Sequence, residues 1–580
     1  MSLDHRPGAP GSFVFLLVIC SVAALGGLLF GFDTAVISGS EVLFTREFGL
    51  SPEQEGWVVG SAIVGCFWGA LAAGVLSDRF GRKKVLLVAA VCFTVSAVWC
   101  GLARSARDLV AARLIGGLGI GVASLVSPLY IAEISPPRLR GRLVALQQLA
   151  IVLGILAAFF SNSLVLQTSL ADGAKWRWML ALGAFPAMLF LVLILPIPES
   201  PRWLTKQGRA DQAQAILSRV AGSAEAERQM RLITEAIAHE GGSVLDLLKP
   251  GLRRALVVGV SLAVLTQVTG INAMMYYGPK VFETAGFGLR AAYWCSVLVG
   301  VTNLIFTLLS MAVVDRLGRK PLLQIGATCM GLALYAVGFS FATSSLFTER
   351  DIRDPAALLA RVRAAADPVS AALRAQLSQD TNEVWARLAA PETTPKELRA
   401  VLVGALNRLL THPTLYTPEL RSWIRLSPTT AALGAQRPGG EQRARLNRML
   451  LEDTYPEALT RKRYHRGLNG WEMLVGVLAY VASFAFSMGV VGWVVISEIY
   501  PTRTRGRAMA VATAAVWAAC YLVSQTFPTL LARLGSAATF WLYGAMCVVA
   551  LVFVTRCVPE TKGKSLEEIE KQWTLPPGAG

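Results

Sequence analysis

Asp78-Arg79-Phe80-Gly81-Arg82-Lys83 recurs later in the chain as Asp315-Arg316-Leu317-Gly318-Arg319-Lys320. Two further pairs follow in the same order. Glu133-Ile-Ser-Pro-Pro-Arg-Leu-Arg-Gly-Arg142 returns as Glu498-Ile-Tyr-Pro-Thr-Arg-Thr-Arg-Gly-Arg507, and Pro198-Glu199-Ser200 returns as Pro559-Glu560-Thr561. Three ordered matches mean that a whole unit has been duplicated, as in many proteins that move solutes across membranes. The background is apolar: of 580 residues, 54% are hydrophobic and only 16% charged. Twelve apolar stretches begin near residues 13, 52, 84, 108, 142, 176, 253, 289, 321, 470, 507 and 536, and each is long enough to cross a hydrocarbon core. The chain therefore reads as an all-α membrane protein with twelve transmembrane helices in two six-helix bundles. The first stretch follows a short polar leader without a small-residue cleavage site and is read as a retained helix.

Spacing locates an addition. Asp315 follows Asp78 much sooner than Glu498 follows Glu133 or Glu560 follows Glu199, so the second half carries an insertion after Lys320 and before Glu498. Residues 346–469 are charged, rich in Ala, Leu and Arg, and contain no spanning stretch; Lys396 to Leu410 has the period of an amphipathic helix. The expected organisation is an N-terminal six-helix bundle over 1–197, a cytoplasmic helical linker over 198–250, and spans seven to nine over 251–345. An extracytoplasmic helical insert over 346–469, spans ten to twelve over 470–558 and a cytoplasmic tail over 559–580 complete it. The insert reads as a solvated helical cap or as a binding module.

The net charge of +17 does not point to nucleic acid, because much of the excess lies in the short repeated loops. These fall on one side of twelve alternating spans, and the positive-inside rule makes that side, with both termini, cytoplasmic. Arg461-Lys462-Arg463-Tyr464-His465-Arg466 lies on the other side, where the rule weakens because the loop is long. The nine cysteines all lie in or at the ends of spans, without metal-site spacing or a disulfide framework. No metal, no cofactor and no nucleophile–base set is expected, and the chain is not read as an enzyme.

Gln267-Val268-Thr269-Gly270-Ile271-Asn272, followed by Tyr276, Tyr277 and Pro279, lies inside the seventh span. An amide pair, a glycine and a proline there are costly unless they face protein or a water-filled cavity. Gln and Asn each offer a donor and an acceptor, which suits a hydroxyl-rich uncharged solute. The alternative is that the amides only bond neighbouring helices. The charged loops also have two readings. Asp78, Glu133, Asp315 and Glu498, beside Arg82, Arg142, Arg319 and Arg507, are spaced for a salt-bridge latch that joins the halves on the inside while the outside is open and breaks on switching. Alternatively the charges only set topology.

The sequence resembles the sugar-porter branch of the major facilitator superfamily, whose members include facilitative glucose transporters and the bacterial proton–xylose symporter. The motifs are Gly31-Phe-Asp-Thr-Ala-Val-Ile-Ser-Gly39, Arg113-Leu-Ile-Gly-Gly-Leu-Gly-Ile-Gly121, Pro128-Leu-Tyr-Ile-Ala-Glu133, Pro198-Glu-Ser-Pro-Arg-Trp-Leu204, Gln267 to Asn272, Gly506-Arg507-Ala508 and Pro559-Glu-Thr-Lys-Gly563. They cover nearly the whole chain outside 346–469. The resemblance implies the major facilitator fold and a site in which Gln148, Gln267, Asn272 and Asn303 bond sugar hydroxyls. Trp493, Trp517, Phe30 and Tyr276 supply the rings around them. It implies that Asp33, paired with Arg113, is the proton-coupling acid, at a position where uniporters carry a neutral amide.

Departures accompany the matches. Thr266 stands where the family has the first glutamine of a pair; Ile155 and Val516 replace glutamines of the xylose symporter, Cys520 replaces an asparagine, Val490 a proline and Gly183 an acid. With those amides gone, a deoxy sugar, a smaller polyol or a more apolar solute suits the site better than a pentose or hexose. The expected activity is monosaccharide or polyol:proton symport by alternating access, with a uniporter or a transporter-like sugar sensor as alternatives. The expected partners are a small neutral sugar or polyol, a proton and the lipid bilayer, with no nucleic acid. The chain is read as a monomer, multi-pass in a cell membrane, and from the resemblance in a bacterial inner membrane.

Overall fold

The computed structural model describes residues 12–238, 250–285, 287–345, 466–467, 470–500 and 505–562. Expectations for the insert, for Arg503 and for the chain after 562 lie outside them. Helices α1 (Phe13–Phe48), α2 (Pro52–Phe80), α3 (Arg82–Leu102), α4 (Ala106–Ile134) and α5 (Pro137–Leu166) are followed by α6 (Asp172–Ala181) and α7 (Ala184–Leu193), which together form the sixth span. Three short helices, α8 (Pro201–Lys206), α9 (Ala210–Ala221) and α10 (Ser223–Ala238), lead to the second half. There α11 (Pro250–Val268) and α12 (Ile271–Thr284) make the seventh span, and α13 (Leu289–Leu317) and α14 (Arg319–Thr343) the next two. Helices α15 (Gly470–Phe486) and α16 (Val491–Glu498) make the tenth, and α17 (Arg505–Cys557) carries the last two, because Gly535, at φ 79°, breaks it. The twelve crossings start within a few residues of the apolar stretches read from sequence. A two-residue parallel pairing, β1 (Ser344–Ser345) with β2 (Arg466–Gly467), joins the chain on either side of the inserted segment.

Capping fixes where helices begin. Ser51 and Ser105 each form a capping box, with Gln54 and Asp108, at the starts of α2 and α4. Between helices, small residues set the spacing, since apolar side chains gain little by leaving lipid for protein. A Cβ on Gly117 would fall inside contact distance of the Ala62 carbonyl oxygen, bringing α4 onto α2, and Gly31 stands likewise against the Ile151 carbonyl, bringing α1 onto α5. The halves meet where α2 packs on α17 and α5 on α13. At the first of these seams a Cβ on Gly56 would meet the Gln525 carbonyl oxygen.

Candidate substrate and proton site

The seventh span is broken in mid-course. Gly270 adopts φ 97°, a left-handed conformation, and a Cβ there would meet the Tyr543 ring at 2.8 Å, so only glycine fits. The break frees backbone groups that lipid cannot satisfy. Protein does so instead: the Tyr480 hydroxyl donates to the Thr269 carbonyl at 2.9 Å, and Gly270 N–H donates to the Gln267 carbonyl at 2.9 Å. A second kink lies at Tyr277 (φ −121°, ψ 20°), just before Pro279, whose ring excludes a straight helix; the Tyr277 hydroxyl donates to the Ser524 carbonyl at 2.9 Å.

The break brings the amides together. Asn272 Nδ2 donates to Gln267 Oε1 and to Cys520 Sγ (3.1 Å), and Gln267 Nε2 donates to Thr266 Oγ1 at 3.0 Å. Thr266, Gln267 and Cys520 are buried, and Tyr276 is a hydrogen-bonding neighbour of the Cys520 thiol. From the other half, the Phe30 ring lies 5.4 Å from the Trp517 ring, tilted by 59°. The Trp517 indole N–H is buried without a hydrogen-bond partner among the described residues. Asn303 is buried on α13, while Gln148 and Trp493 are half-buried on α5 and α16; none of the three joins the amide cluster. Ile155 and Val516 are buried apolar residues.

Asp33 on α1 faces Arg113 on α4, with Oδ2 and Nη2 3.6 Å apart. The guanidinium is 2% exposed, and its Nε and Nη1 have no hydrogen-bond partner among the described residues. A buried cation held by a single carboxylate beyond hydrogen-bonding distance is poorly compensated. Tyr276 and Cys66 lie within electrostatic range of the pair, so the acid, its partner and the amide cluster share one region.

The charged loops repeat in outline. Arg82 grips Glu133 with both Nε and Nη2 (2.9 Å each) and reaches Asp78 at 3.1 Å, while the Ser200 hydroxyl donates to Glu133. Glu199 accepts the N–H groups of Arg82 and Lys83 at the start of α3. In the second half Arg319 meets Glu498 at 3.1 Å, the Thr561 hydroxyl donates to Glu498 at 2.6 Å, and Glu560 accepts the N–H groups of Arg319 and Lys320 at the start of α14. Each carboxylate satisfies the open N–H groups of a helix N-terminus. Gly81 (φ 96°) and Gly318 (φ 92°) leave room for it, since a Cβ at either would press on the carboxylate. Burial pushes the Glu560 carboxyl up, but the backbone N–H groups of Lys562, Arg319, Lys320 and Thr561 outweigh it and hold the group below its ordinary value.

In this conformation Arg82–Glu133 and Arg319–Glu498 each close within one half, because the first and second motifs of a repeat sit at the ends of helices in the same bundle. Arg142 and Arg507 are exposed at the starts of α5 and α17, and the Asp315 side chain lies outside the described residues. Polar contacts between the halves are made at the face opposite the Arg-rich loops. Lys280 on α12 meets Glu55 on α2 at 2.6 Å, Gln525 Nε2 donates to the Glu53 carbonyl at 2.9 Å, and the Tyr293 hydroxyl donates to the Gly39 carbonyl.

The sugar (and other) transporter family profile matches residues 19–351 and 461–573. The chain belongs to that family. It is 33% identical over 566 residues to the arabinose-proton symporter of Bacillus subtilis, covering 97% of this chain and 96% of that protein. Identity to the D-xylose-proton symporter of Escherichia coli is 32% over 597 residues, covering 97% of this chain and 96% of that one. The xylose transporter of E. coli in a partially occluded inward-open conformation superposes with a TM-score of 0.67 at 30% identity, over 95% of this chain and 100% of that chain. This family member is therefore a multi-pass membrane protein with the twelve-helix major facilitator fold, built for sugar transport.

Sequence reading missed three parts of this arrangement. Gln147, next to Gln148, is buried against Gly27 with neither amide atom partnered among the described residues. The carboxylates Glu199 and Glu560 were visible only as repeat markers. Lys280, Glu41 and Glu55 carried a signal, charge inside or at the mouth of an apolar span, that reading concentrated on Asp33 and Arg113 passed over.

Proposed function

We propose that this transporter carries a small neutral monosaccharide or polyol together with a proton, by alternating access between its two halves. The observation that carries the reading is the break at Thr269–Gly270. It holds Gln267 and Asn272 as an amide pair bonded to Cys520, one helical turn along α17 from Trp517, whose ring meets Phe30 of the other half. Amides bond hydroxyl edges, and rings cover the C–H face of a sugar. In this reading Gln148, Asn303, Trp493 and Tyr276 complete the surroundings once the solute is bound. Thr266, Ile155, Val516 and Cys520 reduce the number of amide partners, which favours a deoxy sugar or a smaller polyol over a fully hydroxylated hexose. The Arg-rich loops lie in the cytoplasm with both termini, following the positive-inside rule.

Coupling runs through Asp33. When the acid is charged it holds Arg113; when it takes a proton from outside, the buried guanidinium loses its carboxylate and the α1–α4 contact is free to rearrange. Relatives that are named arabinose- and xylose-proton symporters support the same assignment.

The test is uptake of a panel of labelled sugars, deoxy sugars and polyols into proteoliposomes. The reading expects saturable uptake of one neutral solute class, competed by the same unlabelled solute. Absence of flux for every member of the panel would remove transport and leave binding without translocation, as in a sensor.

A further inference from the structure

Two carboxylates and one ammonium share a buried site where the halves meet at the face away from the Arg-rich loops. Lys280 Nζ, on α12, lies 2.6 and 2.8 Å from the two oxygens of Glu55 on α2, and 3.5 Å from Glu41 Oε1 on α1. Glu41 is 1% exposed and Glu55 is 2% exposed. The second oxygen of Glu41, Oε2, is buried with no donor among the described residues. The other charged and titratable groups nearby do not supply one. Glu283 on α12 is a further anion, and its partner Arg46 stands 3.6 Å from it; Tyr293 on α13 spends its hydroxyl on the Gly39 carbonyl, and Tyr277 spends its own on Ser524. With both glutamates charged the site would hold a net negative charge out of water, with one oxygen unserved. Such a charge is costly, and two neighbouring carboxylates around one cation escape the cost by sharing a proton.

We propose that Glu41, Glu55 and Lys280 form a second proton-binding site, a clasp that takes up one proton from the external water when that face closes and returns it when the face opens. Closing forms Glu41–COOH from Glu41–COO⁻ and H⁺, with the carboxyl hydrogen directed at Glu55 and Lys280 neutralising the remaining charge. On opening, Lys280 withdraws with the second half, water reaches both glutamates, and the proton leaves. The clasp is distinct from Asp33, which pairs with Arg113 inside the first half. External acid therefore favours the closed face through this site alone, with an equilibrium constant that changes by up to about tenfold per pH unit for one coupled proton. The inference rests on the alternating-access reading above.

The experiment needs no solute flux, so its failure is separable from failure of that reading. Fluorophores placed at Ser169 and Arg290, exposed residues at that face of the first and second halves, report the separation of the halves by energy transfer. The protein carries Asp33→Asn throughout, to silence the other acid. The expected result is a separation that shortens as pH falls, with the slope of one proton. In Glu41→Gln, which mimics the protonated acid, the separation stays short and loses its pH dependence; in Lys280→Met it lengthens at every pH. Glu55→Gln provides the same test as Glu41→Gln should that variant not fold. An unchanged titration in Glu41→Gln, or in Glu55→Gln, overturns the proposal.

Discussion

The two repeated charge networks are built alike but buried differently, and this makes an asymmetric prediction. Arg82 and Glu133 have side chains only 4% and 6% exposed and are joined by two parallel 2.9 Å bonds; Arg319 and Glu498 are 13% and 25% exposed and meet at 3.1 Å. Glu133→Gln replaces a buried carboxylate by an amide that must turn its NH2 group toward one guanidinium N–H, so Arg82 keeps its buried charge with only one of its two Glu133 bonds and no charge opposite it there. Removing one member of a buried pair costs about 3–5 kcal/mol. Asp78, at 3.1 Å, and the Ser77 carbonyl, at 3.0 Å, remain on Arg82 and set the expectation at the lower end, about 3 kcal/mol. Glu498→Gln acts on a pair that water reaches and costs about 1 kcal/mol. The assay is the thermal unfolding midpoint of the detergent-purified protein: Glu133→Gln lowers it about three times as far as Glu498→Gln. The double variant Arg82→Gln/Glu133→Gln recovers part of the loss, because no charge is then left buried and unpaired. Equal shifts for the two glutamates, or a double variant worse than the sum of its parts, would refute the burial argument.

Three further outcomes follow from the geometry. Gly117→Val drives a side chain into the Ala62 carbonyl and separates α4 from α2, so stability falls by about 1–3 kcal/mol or more and folded yield falls with it, read by monodisperse recovery in size-exclusion chromatography. Glu560, held below its ordinary value of 4.5 by backbone donors, contributes stability that is complete above that value and is lost as pH falls through its folded-state value; Glu560→Gln therefore lowers the unfolding midpoint at neutral pH, and the two proteins converge in acid. Asn272→Ala removes the donor that joins Gln267 to Cys520, so solute affinity falls, as measured by solute-induced quenching of tryptophan fluorescence.

Much of this was legible in the sequence, for identifiable reasons. Hydrophobic length is a strong constraint in lipid, so span starts were fixed to within a few residues, and the amides, Gly270 and Pro279 inside the seventh span marked a stretch that must face protein or a cavity. The Asp-Arg-x-Gly-Arg-Lys repeat located the charged clusters but not their partners. A repeat motif specifies its own helix end, whereas the pairing of Arg82 with Glu133 inside one half depends on how α3 and α4 pack. The clasp was illegible for a related reason: Glu41, Glu55 and Lys280 stand on three helices, and only the meeting of the two halves makes their charges one site. Gln147 and Gln148 present the same difficulty, since periodicity does not tell which of two adjacent amides turns toward α1.

The most direct test of the account is the accumulation ratio of the identified solute in proteoliposomes, with and without an inward proton gradient, for the unaltered protein and for Asp33→Asn. The expected result is that the gradient drives the solute above its external concentration in the unaltered protein, and that Asp33→Asn equilibrates or exchanges solute without concentrating it. A variant that still concentrates solute under the gradient would contradict the assignment of proton coupling to Asp33 and Arg113.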